Sequence, residues 1–256
     1  MMLSAGKGND FSGGDFPIIE IVEFSGVLTP GSSISIYVSY PCGVLRVILD
    51  RIAGGSWAIV KTESADEDSR PLVGMKLPGE LDELRVLVEL SVASGTILPG
   101  LCAIVTASPF RAAILALVSL IPQGKCASYG QIASALQRFG AARAVGYAMR
   151  TNPIAPFVPC HRVVGGSGEM TGYQGKSGIP RKIAYLAGEG VPLIQTGSSG
   201  TGVSREAFIS ADELHGYARL SGALDIADIS SIGQHESDGH ANRFFLHSRW
   251  RRRIDS

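Results

Sequence analysis

The chain changes periodicity once, across Pro99-Gly100, and that change predicts a fold in two parts. Before it stand short β-rich runs, IIEIVEF, SISIYVSY, VLRVILD and SWAIVKT, separated by Gly, Pro and Ser. Runs punctuated in this way predict an antiparallel sheet. Leu81, Leu84, Val88 and Val92 then recur at helical spacing between Pro78 and Ala93, which predicts one amphipathic helix packed on that sheet. After the change, Ser108 and Pro109 supply an N-cap and a first helical position for an apolar run from Phe110 to Ile121, stopped by Pro122 and Gly124. Ser128 and Gln131 have the spacing of a capping box, QRFG interrupts the helix they open, and Ala141 to Met149 forms another. Two short helices around a Gly-containing turn suit a helix-turn-helix. Arg181 to Ala187 reads as a last helix stopped by Gly188.

Composition narrows the class. Hydrophobic residues at 45% and charged residues at 18% exclude a wholly disordered chain. The formal net charge of +0 argues against a nucleic-acid partner only until it is divided. Residues 1–104 hold 7 Lys+Arg and 13 Asp+Glu (7 − 13 = −6), 105–190 hold 9 and 2 (9 − 2 = +7), and 191–256 hold 7 and 8 (7 − 8 = −1). The basic excess therefore falls on the helical part, as a phosphate-binding surface requires. No apolar stretch of about 18 residues is free of charges or turn signals, so no membrane partner is expected. The opening MMLSAGKGNDFSGGDF lacks an apolar core, and an intracellular, cytoplasmic protein is expected. Cys42, Cys102, Cys126 and Cys160 form no CxxC pair, so neither a zinc knuckle nor a disulfide framework is encoded.

One placement carries chemistry. Within the first 200 residues the single histidine, His161, directly follows Cys160 in VPCHRVV. A cysteine reacts as its thiolate, which an adjacent imidazole or cation favours, and Arg162 adds a positive charge. Taken alone, this pair fits a buried inert cysteine better than a reactive one.

The wider text, IPQGKCASYGQIASAL, AARAVGYAMRTNP, VPCHRVVGGSGEMTGYQGK and KIAYLAGEG, resembles the O6-alkylguanine-DNA alkyltransferase family, the methylated-DNA-protein-cysteine methyltransferases, over about residues 107–192. The resemblance implies an α/β (α+β) chain. Its parts would be a flexible tail at 1–15, an RNase H-like small sheet domain of three strands at 16–104, and a mainly helical, winged-helix-like catalytic domain at 105–192. The Gly/Ser-rich segment after Pro192 and the polar tail predict a largely disordered extension at 193–256, in which RWRRR either adds non-specific phosphate affinity or is a solvated end. The irregularly spaced His235, His240 and His247 predict no metal there.

The resemblance also implies roles. Cys160 takes the alkyl group from O6 of guanine, His161 acts as base through a bridging water, Glu189 orients it, and Asn152 braces the turn. No cofactor and no metal is implied. Arg143 enters the stack where the guanine was, on a helix kept slender by Ala141, Ala142, Ala144 and Gly146, because base chemistry in a duplex requires extrusion. Tyr129 turns the 3′ phosphate and Ser128 contacts phosphate or caps its helix. Tyr173, Val158, Pro159 and Gln174 line the guanine pocket, with Gln174 and Lys176 departing from the family pattern. The partner is double-stranded DNA carrying O6-alkylguanine, met by a monomer. Two other readings stand: a lesion-binding relative without chemistry, disfavoured by Cys160, and a Cys-His hydrolase, which needs an oxyanion hole and turnover.

Overall fold

The computed structural model describes residues 16–23, 33–40, 43–52, 57–66, 68–69, 73–77, 79–173, 178–196, 200–220 and 242–251. The expected tail at 1–15, Cys42, Gln174, Lys176, His235 and His240 lie outside them.

The β-rich runs become β1 (Phe16–Glu23), β2 (Ile34–Tyr40), β3 (Gly43–Arg51) and β4 (Trp57–Ala65). β2, β3 and β4 form an antiparallel meander, with a register shift at Ile48/Leu49. Alternation puts Ile36, Val38, Leu45, Val47, Leu49 and Ile59 into the core. Helix α1 (Glu80–Ser94) covers that face with Val88 and Val92, and Gly95 ends it in the left-handed conformation at φ 61°. A side chain at Gly95 would meet the guanidinium of Arg162, its Cβ lying 2.5 Å from Nη2.

β5 (Cys102–Ala107) leads into α2 (Pro109–Ser119), which the Ser108 hydroxyl caps by accepting from Arg111 N at 3.4 Å. Every residue of α2 from Ala112 to Ser119 is buried, so it is the central helix, packed against the sheet and against three of the later helices. β6 (Ala127–Ser128) opens α3 (Tyr129–Ala135), whose capping box is complete: Ser128 Oγ accepts from Gln131 N at 3.1 Å and Gln131 Oε1 from Ser128 N at 2.8 Å. α4 (Ala142–Arg150) follows after a tight turn and packs on α2 and α3. A 3₁₀ turn (Cys160–Arg162) runs into β7 (Val163–Val164), which pairs with β6 in parallel and ties the turn to the start of α3. α5 (Gly178–Gly188) completes the helical part.

The expected three-stranded sheet is six-stranded, in the order β1-β10-β5-β4-β3-β2, where β10 is Asn242–Arg251. Strand β10 comes from the far end of the chain and lies antiparallel to both β1 and β5. The expectation of a largely disordered extension is likewise corrected over 193–220 and 242–251. β8 (Leu193–Thr196) and β9 (Gly200–Val203) form a hairpin, and α6 (Ala211–Leu220) packs on α3 with Leu214 and Ala218 fully buried. Ile209 N donates to Cys126 O and Gln131 Nε2 to Ile209 O, so the extension takes up polar groups that the helical part leaves open. Apolar residues buried against a distant partner outweigh a linker-like composition. No helix among the described residues is long and apolar enough to cross a membrane.

Candidate active site

Asn152 closes the loop that precedes the cysteine. It is buried; its Oδ1 accepts from Ile154 N at 3.1 Å and its Nδ2 donates to Val158 O at 2.8 Å. The first sheet supports the same loop from outside, because Thr62 N donates to Pro153 O at 2.9 Å and Thr62 Oγ1 to Ala155 O at 2.6 Å. The Ala155-Pro156 peptide bond is cis. Val158 and Pro159 are buried just ahead of Cys160, which is 2% exposed.

Cys160 faces a cavity of about 490 Å³ that it shares with Tyr129, Ala142, Arg143, Gly146, Met149, Arg150, Thr171, Gly172 and Tyr173. Ala144 is exposed but is not part of this lining. At Gly146 an added Cβ would touch the Tyr129 ring at 3.9 Å, so the small residue lets helix and ring approach. The Tyr129 hydroxyl accepts from Thr171 Oγ1 at 3.2 Å. Ser128 is 7% exposed and its hydroxyl serves as the α3 cap. The sequence singled out neither Met149, Arg150, Thr171 nor Gly172 as cavity lining.

Behind the cysteine lies a charged cluster. His161 Nε2 stands 2.8 Å from Glu189 Oε1, and Arg162 donates to the same carboxylate from Nε (2.9 Å to Oε2) and Nη2 (2.7 Å to Oε1). Arg162 also donates to Ile121 O and Ser94 O, which satisfies a guanidinium that is 1% exposed. Arg162 therefore anchors Glu189; the expectation of a cation serving Cys160 is met instead by Lys182, whose charge favours the thiolate. Lys182 is fully buried and donates to Val163 O. Its signal was in the sequence: Lys182, Tyr185, Leu186 and Glu189 stand at i, i+3, i+4 and i+7, so a lysine occupies the buried stripe of α5.

Each titration has a physical cause. Burial raises the Glu189 carboxyl, but the hydrogen bonds and charges of His161 and Arg162 outweigh it and hold the group at about 2. Burial lowers His161, against the pull of Glu189, and so favours the neutral ring. Since an ionised Glu189 can only accept, Nε2 carries the proton and Nδ1 keeps its lone pair; Nδ1 is buried with no hydrogen-bond partner. Burial pushes the Cys160 thiol up, opposed by hydrogen bonds from Asn152 and Tyr173 and by Lys182. Cys126 and Cys102 are pushed up by burial to about 12 and about 11. Neither lines the cavity. The His161 ring stacks on Tyr185 at 4.7 Å, and Tyr185 on Tyr40 of β2 at 5.7 Å, so the first sheet also braces the imidazole. Among the described residues no three His, Cys, Asp or Glu converge as metal ligands.

Residues 109–191, which contain the whole cluster, match the family model of the 6-O-methylguanine DNA methyltransferase, DNA binding domain. The chain belongs to the 6-O-methylguanine DNA methyltransferase family. The chain is 48% identical over 87 residues to the methylated-DNA--protein-cysteine methyltransferase of Shigella flexneri, covering 34% of this chain and 50% of that one. It is 59% identical over 66 residues to the protein of that name from Mycobacterium tuberculosis, covering 26% and 39%. The chain spans about half the length, or less, of these curated relatives. The crystal structure of the Mycobacterium tuberculosis O6-methylguanine methyltransferase is 31% identical, with 61% of this chain and 93% of that one covered at a TM-score of 0.44. The matched region holds all five residues of PCHRV, with Cys160 at its cavity and His161 and Arg162 on Glu189.

Proposed function

We propose that this protein repairs O6-alkylguanine in DNA by moving the alkyl group onto Sγ of Cys160. The observation that carries this reading is a cavity-lining cysteine followed directly, in the same 3₁₀ turn, by a polarised histidine: Cys160 faces the 490 Å³ cavity and His161 hydrogen-bonds Glu189 through Nε2. Double-stranded DNA lies against α4, and the damaged guanine leaves the stack and enters the cavity. Arg143 fills the space it vacates, and Tyr129 and Tyr173 contact its backbone and base. The thiol proton passes through a bridging water to Nδ1 of His161, whose charge Glu189 balances. Sγ then attacks the alkyl carbon; the C–S bond forms, the C–O6 bond breaks, and the released guanine takes up the proton. Atoms and charges balance without a cofactor. A thioether is a poor leaving group, so the protein turns over once.

The test is mass spectrometry after incubation with an oligonucleotide carrying O6-methylguanine. The intact protein gains one methyl in place of one hydrogen, on the peptide that contains Cys160, and Cys160→Ala gains nothing. Methylation of the Cys160→Ala variant, or no methylation of the wild type, sinks the reading. Activity on O4-methylthymine and monomeric action in the cytoplasm belong to the same proposal, read by the same assay with a thymine lesion, by sedimentation and by fractionation.

A further inference from the structure

Phe139 is 82% exposed, more than any other large apolar side chain among the described residues; Tyr147 follows at 53% and Leu90 at 51%. Single exposed apolar residues are common on soluble proteins. What separates Phe139 from them is where it stands and how firmly it is held.

It lies in the turn between α3 and α4, four residues before Arg143. α3 ends at Ala135, and Gln137, two residues on, is left-handed at φ 56°; Gln137 N donates to Ser134 O and Arg138 N to Ala133 O, each at 2.9 Å. These are the two bonds of a Schellman motif, here without the usual glycine. Ala141 N then donates to Arg138 O at 3.1 Å with Gly140 at φ 85°, so Phe139 takes the second position of a type II turn. Leu136 before the turn and Val145 after it are fully buried. The ring is thus presented to solvent by a fixed backbone between two core anchors. That position favours proline on conformational grounds, and a phenylalanine there gains no burial in return.

Its surroundings are cationic and small. Arg138 and Arg143 flank it in sequence, Ala141 and Ala142 are half-buried, and α4 contributes Ala142, Arg143 and Gly146 to the mouth of the cavity. Four residues of chain reach at most about 14 Å. That is about four base-pair steps of ~3.4 Å, so Phe139 lies within reach of the site at which Arg143 would act. Proteins that bend DNA from the minor groove insert apolar side chains between base steps.

Resting on the repair reading above, we infer that Phe139 is a second wedge: its ring enters the stack beside the extruded nucleotide and holds the neighbouring step open while Arg143 fills the vacated position. Unstacking is then shared between an apolar ring and a guanidinium.

The experiment uses the full chain, Phe139→Ala and Phe139→Leu, with duplexes that carry 2-aminopurine next to either guanine or O6-methylguanine. Stacking quenches 2-aminopurine, so its fluorescence at saturating protein reads the opened step directly. Methyl transfer is followed in parallel from the damaged duplex and alkyl transfer from free O6-benzylguanine. Phe139→Ala is expected to melt as the wild type does, to lose most of the fluorescence rise, and to lower the ratio of duplex to free-base rates about tenfold, as one lost stacking contact implies. Phe139→Leu is expected in between. A Phe139→Ala variant with the wild-type fluorescence rise and the wild-type rate ratio overturns the inference, as does a wild type that binds duplex without any rise. The two readings fail differently: a wild type that opens the step in a Phe139-dependent way but alkylates nothing keeps the wedge and removes the chemistry.

Discussion

Glu189 Oε1 lies 2.8 Å from Nε2 of His161, and this one contact decides which nitrogen of the ring can receive a proton. A carboxylate held at about 2 only accepts, so Nε2 must donate and Nδ1 is left as the basic atom. Glu189→Gln removes the fixed tautomer, because an amide serves as donor or acceptor. Transfer to Cys160 is expected to slow by about a hundredfold, within the range of a positioned base. Single-turnover kinetics check this, and an unchanged rate contradicts the assigned role.

The same pair fixes the acid side of stability. The Glu189 carboxyl stands at about 2 folded against 4.5 as its ordinary value, so the unfolded chain binds more protons between them. The contribution, on the order of 3 kcal/mol, is complete above 4.5 and lost as the pH falls towards 2. Thermal melts from pH 6 to pH 3 are expected to fall more steeply for the wild type than for Glu189→Gln. Parallel curves remove the claim.

Lys182 acts at the opposite end of the scale. Burial brings its ammonium from 10.5 down to about 8, so the unfolded state holds the extra proton and stability rises with pH between these values. Lys182→Met is expected to abolish that rise and, by removing the charge that favours the thiolate, to slow iodoacetamide labelling of Cys160 at pH 8. Labelling as fast as in the wild type rules out the electrostatic link.

His161 is lowered from 6.5 by burial, and the Cys160 thiol is raised by it. Alkyl transfer from free O6-benzylguanine is therefore expected to show no inflection at 6.5 and to rise into the alkaline range as the thiol ionises. A rate that halves at pH 6.5 identifies an ordinary exposed histidine and contradicts the buried pair.

Arg143 is exposed at the cavity mouth. Arg143→Ala is expected to slow transfer from duplex far more than from free base, as a wedge requires. Equal slowing on both substrates argues against insertion into the stack.

Leu214 lies in the extension and is fully buried against the core. Leu214→Ala is expected to cost about 2 to 5 kcal/mol in denaturant unfolding. A loss under about 0.5 kcal/mol shows that α6 contributes little to the fold.

Local signals settled what local physics controls. Ser108-Pro109, the Ser128-Gln131 capping box and the spacing of Leu81, Leu84, Val88 and Val92 each act within one or two helical turns, and each produced its helix. The run PCHRV and the separated Glu189 were legible as a resemblance, since motif order survives in the sequence itself. Three matters were decided only in the tertiary structure. Strand β10 pairs with β1 and β5 across more than a hundred residues, and no composition rule sees such pairing, because its hydrogen bonds lie between strands. Arg162 reads as a cation beside the thiol, yet the fold turns it to Glu189 and puts Lys182 near Cys160 instead, since a buried charge goes where its partners converge. The basicity of His161 Nδ1 depends on an oxygen twenty-eight residues away, brought to 2.8 Å only when α5 docks on the cysteine turn.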